Sequence, residues 1–149
     1  RRFKRYLDIY EEHLGINAKT FPGIDEVISA IEGLGINWGI VTNKSKRFAK
    51  PLLRKLELLN RTACLVCGDT TNNLKPDPEP INYALSFLKT KNTKKSFYIG
   101  DSKKDVDAAK SAGISSIACT YGYIYDSTNP KDWKADFYVD HALEILDVI

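Results

Sequence analysis

The chain of 149 residues predicts an α/β fold built on a mostly parallel sheet. Short β-like apolar runs alternate with helix-period apolar stripes along the chain, and glycines close several of those stripes. The β-like runs also end in polar residues. Gly39-Ile40-Val41 leads into Thr42-Asn43, and Ser96-Phe97-Tyr98-Ile99 leads into Gly100-Asp101. In a parallel α/β sheet, ligands bind outside the carboxyl ends of the strands, so these polar endings mark the edge to search for chemistry.

Residues 3 to 14 carry Phe3, Tyr6, Leu7, Tyr10 and Leu14 at helical spacing, and Gly15 is the stop. This helix starts without a capping residue. Thr20-Phe21-Pro22-Gly23 reads as a loop. Ile24, Val27, Ile28, Ile31 and Leu34 then form a stripe closed by Gly35, and Ile36 to Val41 is the first β-like run. Ser45 is placed to cap a helix bearing Phe48, Leu52 and Leu56, in which Pro51 marks either a kink or the true start. Ala63 to Cys67 is the next strand, ended by Gly68-Asp69. Asp77-Pro78 reads as a cap and first-turn pair for a helix with Ile81, Ala84, Leu85 and Leu88. Phe97 to Ile99 is a strand, followed by a helix with Val106, Ala109 and Ala112 that stops at Gly113. Ser116 to Thr120 is a strand, and Tyr121-Gly122-Tyr123 is a loop whose tyrosines read first as packing residues. Ala135 to Val139 is a last short strand before a terminal helix from Asp140.

Composition narrows the function classes. A hydrophobic content of 43% and a charged content of 28% are those of a globular domain with a real core. The net charge of +3 is too small to argue for nucleic acid, and the Arg1-Arg2-Phe3-Lys4-Arg5 cluster reads as a solvated helix face. No apolar stretch approaches a membrane span and no signal-peptide pattern is present, so a cytoplasmic setting is expected. The three cysteines, Cys64, Cys67 and Cys119, fit a reduced compartment. Cys64 and Cys67 lie three apart on a strand and so face opposite sides, which argues for buried thiols rather than a shared metal. No G-x-G-x-x-G is present, which disfavours a dinucleotide site. The chain has no methionine and begins at Arg1, so position 1 is expected not to be the natural start.

Three sets of residues carry candidate chemistry. Asp101 follows a glycine that lets the chain turn off its strand, with a helix N-terminus behind it. A carboxylate there can ligate a hard cation such as Mg²⁺, and Asp105, one turn on, can orient Lys75 or a metal-bound water. The plainer reading makes both acids first-turn helix residues. Thr42-Asn43 offers a hydroxyl and a backbone N–H for a phosphoryl oxygen, or else a turn held by its own side chains. Lys75, stiffened by Pro76 and Pro78, suits phosphoryl charge, although a lone loop lysine is ordinarily a surface residue.

In order, Thr42-Asn43, Lys75-Pro76-Asp77-Pro78 and Gly100-Asp101-Ser102-Lys103-Lys104-Asp105 resemble motifs two, three and four of the haloacid dehalogenase-like hydrolases. Val41-Thr42-Asn43-Lys44 and the run Asp105 to Gly113 (DVDAAKSAG) look most like the phosphoglycolate phosphatase branch, and the resemblance covers residues 20 to 149. It implies a three-layer, doubly wound, Rossmannoid parallel sheet over residues 19–149, with residues 1–18 as the last helix of a helical cap. It also implies a Mg²⁺-dependent phosphatase acting on a small phosphorylated metabolite. Thr42, Asn43 and Lys75 would bind the phosphoryl group, with Thr42 and Lys75 catalytic. Asp101 would ligate the metal, supported by Gly100, Ser102 and Asp105.

The departure from the family pattern is the absence of an Asp-x-Asp motif at the end of a first strand, the source of the family's nucleophile and general acid. The chain's one Asp-x-Asp, Asp105-Val106-Asp107, lies on a predicted helix. The nucleophile is therefore expected upstream of this chain. The chain alone is expected to fold poorly, because the strands ending at Thr42 and Asp101 would each keep an unpaired edge, and to hydrolyse nothing. A truncated, catalytically inactive interaction protein is the alternative. A receiver domain is disfavoured, since it places its phospho-acceptor aspartate before the threonine and lysine.

Overall fold

The computed structural model describes residues 22–88, 95–121 and 129–149. The expected cap helix over residues 3–14, Thr20-Phe21, and Gly122-Tyr123 lie outside the described residues. The elements run α1 (Ile24–Gly33), β1 (Ile40–Val41), α2 (Lys46–Lys55), β2 (Leu65–Val66), α3 (Glu79–Leu88), β3 (Phe97–Gly100), α4 (Lys103–Ala112) and β4 (Ser115–Cys119). A 3₁₀ turn (Pro130–Trp133), β5 (Phe137–Val139), a second 3₁₀ turn (Ala142–Glu144) and α5 (Ile145–Val148) complete the order.

Every described strand pair is parallel. Side chains alternate between two helical layers, as the period of a strand requires. Ile40 and Leu65 pack with Ile28 of α1 and Leu53 of α2, whereas Val66 packs with Ala84 of α3. Ile117 and Cys119 meet Val27 and Ile145 on one side of β4, while Ala118 meets Val106 and Trp133 on the other. The result is three layers: α1, α2 and α5, then the strands, then α3 and α4.

The strands form two groups, β1–β2 and β3–β4–β5. From β1 the chain moves outward to β2, then returns through α3 to β3 and moves outward the other way. The gap between β1 and β3 is therefore the point at which the winding reverses, the position where such sheets bind ligands.

Several local expectations are corrected. The first β-like run is a paired strand only over Ile40–Val41, and Ile36 is exposed. Likewise, Ala63 to Cys67 narrows to Leu65–Val66. A strand ends where its partner ends, whatever its own periodicity. Pro51 lies inside α2, so it is not the start of that helix. Ser45 holds the N-cap position but makes no side-chain cap bond; Asp69, from beyond β2, accepts from Lys46 N at 2.9 Å instead. Asp77 Oδ1 accepts from Glu79 N at 2.8 Å, and the helix starts at Glu79 rather than at Pro78. At the C-terminus the cap is His141, whose Nδ1 accepts from Leu143 N, while Asp140 bonds the Thr120 hydroxyl. No described helix is long and apolar enough to cross a membrane.

Trp133 is 3% exposed and fills the space between Val106 and Ala118. Trp133→Ala is expected to cost about 3–5 kcal/mol of stability, read from the midpoint of a urea melt.

Candidate active site

The gap between β1 and β3 holds a cavity of about 320 Å³, lined on one side by Val41 and Lys75 and on the other by Tyr98, Gly100, Asp101 and Asp105. Asp105 organises it. A capping box at the start of α4 pairs Ser102 with Asp105. Asp105 Oδ2 accepts from the backbone N–H groups of Asp101 (3.0 Å) and Ser102 (3.1 Å). Its other oxygen, Oδ1, receives Lys75 Nζ at 2.5 Å, and both side chains are 9% exposed. The carboxylate thus shapes the turn that carries Asp101 and also aims the lysine.

The glycine before Asp101 is required by this arrangement. A Cβ at Gly100 would stand 2.3 Å from Asp105 Oδ2 and 2.5 Å from Asp105 Cβ, too close for any side chain.

Lys75 reaches the site from the loop before α3, and Asn43 fixes its backbone. Asn43 Nδ2 donates to the Lys75 carbonyl at 3.1 Å, and Asn43 Oδ1 accepts from Lys75 N at 3.0 Å. The side chain of Asn43 is therefore used on Lys75. Any contribution to phosphate binding falls to its backbone. Thr42 N donates to Val66 O, continuing the β1–β2 pairing, and the Thr42 hydroxyl oxygen accepts from Lys44 N at 3.1 Å. This is the turn geometry that the plainer reading anticipated. An accepting hydroxyl still carries its own O–H donor.

The Lys75 ammonium also donates to the Tyr98 hydroxyl at 2.7 Å and to the Val41 carbonyl at 3.5 Å. Lys75, Gly100, Asp101 and Asp105 line the cavity together, whereas Thr42, Asn43 and Ser102 are not among its lining residues. Sequence reasoning missed Tyr98 and Asp69. The signal for Tyr98 was a polar-tipped aromatic on the buried face of a strand, which needs a partner for its hydroxyl. Asp69 had none beyond its place at a strand end.

Cys119 and Tyr121 close the far wall of the cavity. Burial pushes the Cys119 thiol up to about 11, and burial also raises the Tyr121 phenol. Cys64 and Cys67 are likewise buried, free and shifted upward by burial.

The haloacid dehalogenase-like hydrolase family matches residues 1–119. The chain belongs to that family. It is 40% identical over 146 residues to the N-acetylmuramic acid 6-phosphate phosphatase of Pseudomonas aeruginosa, covering 98% of this chain and 64% of the relative. It is 36% identical over 142 residues to the phosphoglycolate phosphatase of Xanthomonas campestris pv. campestris, covering 95% and 64%. A crystal structure described as a predicted phosphoglycolate phosphatase from Haemophilus somnus superposes with a TM-score of 0.87 at 28% identity, covering 98% of this chain and 64% of that one. The chain thus spans about 64% of the length of these relatives. Within the haloacid dehalogenase-like hydrolases it lies on the phosphoglycolate phosphatase-like branch.

Two outcomes follow from this geometry. Asn43→Ala leaves the N–H and carbonyl of Lys75 unpaired and is expected to cost about 1–3 kcal/mol in a urea melt. The second concerns Cys119, whose thiolate fraction at pH 8 is on the order of 10⁻³; iodoacetamide should leave it unlabelled in the native protein and label it after denaturation. Its folded pKa of about 11 lies above the ordinary 9. The unfolded chain therefore ionises first, and this group's contribution to stability declines as pH rises through that window.

Proposed function

We propose that the full-length protein is a Mg²⁺-dependent cytoplasmic phosphatase of small phosphomonoesters, acting through an aspartyl-phosphate whose nucleophile lies upstream of Arg1. The observation that carries this reading is the buried Lys75–Asp105 pair beside Asp101 at the reversal point of the sheet. A fixed ammonium and a strand-end carboxylate, gathered in one cleft, suit a phosphoryl group and a hard cation.

In this mechanism the upstream carboxylate attacks phosphorus and the alcohol oxygen departs. Water then cleaves the acyl-phosphate. Lys75 and the Thr42 hydroxyl hold phosphoryl oxygens, and Asp105 keeps Lys75 in place. Asp101 fits the metal: Mg²⁺ takes one or two carboxylates and keeps water and phosphate as its other ligands. When bound, it offsets phosphoryl charge as a Lewis acid. Asp105 supports the metal site indirectly, since its oxygens are engaged by Lys75 and by two backbone N–H groups. Among the described residues no group of three or more His, Cys, Asp or Glu side chains gathers, so the remaining ligands are assigned to substrate, water and the upstream segment.

Phosphoglycolate is the leading substrate. The relative at 40% identity, named for a phosphorylated amino sugar, supports a sugar phosphate as the second. The test is turnover of both compounds by the full-length protein, with and without Mg²⁺. EDTA should abolish hydrolysis, Asp101→Asn should lower kcat by about 10²–10³, and the 149-residue chain should show none. Full turnover by Asp101→Asn or by the short chain would overturn the reading. A folded full-length protein that hydrolyses neither compound would favour the inactive interaction protein.

A further inference from the structure

Tyr98 has no place in the mechanism so far, yet its hydroxyl stands at the centre of the cleft. It lies on the face of β3 covered by α3 and α4, with its ring against Ile81, Ala108, Ala109 and Ile114. Its hydroxyl is 2.7 Å from Lys75 Nζ and 2.8 Å from the Val41 carbonyl.

The direction of each bond is fixed by the groups involved. A carbonyl only accepts and an ammonium only donates. Tyr98 therefore gives its proton to Val41 and receives Lys75 on a lone pair. Burial first, then the charges of Asp105 and Asp101, hold the phenol well above its ordinary ionisation range. Both bonds use the neutral phenol, one as acceptor and one as donor.

We propose that Tyr98 is a positioning residue for Lys75: its hydroxyl, 2.7 Å from the ammonium, fixes where that charge stands in the transition state. Asp105 alone would leave a four-carbon stem free to swing about one contact. A lysine side chain carries large rotamer entropy, and a second immobile acceptor removes that freedom before substrate arrives. The third contact, to Val41 O at 3.5 Å, is the longest of the three. It is the one that a phosphoryl oxygen displaces.

This inference rests on the phosphatase reading, and two assays separate their failures. The first measures hydrolysis of p-nitrophenyl phosphate by full-length wild type, Tyr98→Phe, Lys75→Ala and the double variant. Tyr98→Phe keeps the ring and its packing, with a thermal melt to check the fold. It should lower kcat about tenfold with KM changed less than twofold, and adding it to Lys75→Ala should cause no further loss. An unchanged kcat in Tyr98→Phe, or losses that multiply in the double variant, overturns the proposal. If Lys75→Ala turns over like wild type, or wild type does not turn over, the phosphatase reading fails. The second assay then decides the tyrosine by itself. Acetic anhydride labelling read by mass spectrometry should modify Lys75 several-fold faster in Tyr98→Phe than in wild type, and equal rates overturn the proposal.

Discussion

The site depends on one buried ion pair, Lys75 with Asp105. Taking two charges out of water is costly, and breaking such a pair by removing one partner typically costs about 3–5 kcal/mol. Here the remaining valences are satisfied. Asp105 accepts two backbone N–H groups on its second oxygen, and Lys75 spreads its donors over a carboxylate, a phenol and a carbonyl. No buried side-chain nitrogen or oxygen among the described residues lacks a hydrogen-bond partner. The pair is therefore stable only as a set. It brings together the end of β1, the loop before α3 and the first turn of α4, which are far apart in the chain.

β1 and β3 exchange no backbone ladder among the described residues. Contacts across the gap are made by side chains reaching the Val41 carbonyl and by α3, which packs on β1, β2 and α4.

Much of this was legible in the sequence because it is local. Strand alternation, the helix over Lys103–Ala112 with Gly113 in the left-handed conformation at its end, and Asp101 at a strand end all follow from neighbours within a few residues. The order of Thr42, Lys75 and Asp101 along alternating units pointed to one edge, where Lys75 and Asp101 line the cavity and Thr42 follows β1 outside its lining. What stayed hidden depends on which loops meet. Asp69 caps α2 in place of Ser45, and Asn43 spends its amide on the backbone of Lys75. Both pairings join residues more than 20 positions apart, and neither partner carries a local signature of the other. Tyr98 was read as one more apolar strand residue, since its ring obeys the alternation and only its oxygen does not.

The contact between Gly100 and Asp105 has a bearing on how this chain can change. The space above the glycine is filled by the carboxylate of Asp105, with Asp105 Cβ beside it. Any residue with a side chain at position 100 must push that carboxylate aside, which releases Lys75 and unwinds the turn carrying Asp101. A smaller residue at position 105 would make room but would strand the lysine. Positions 75, 100 and 105 are thus locked into a single unit of inheritance: no one of them is open to drift, and a viable route to another solution has to alter them together.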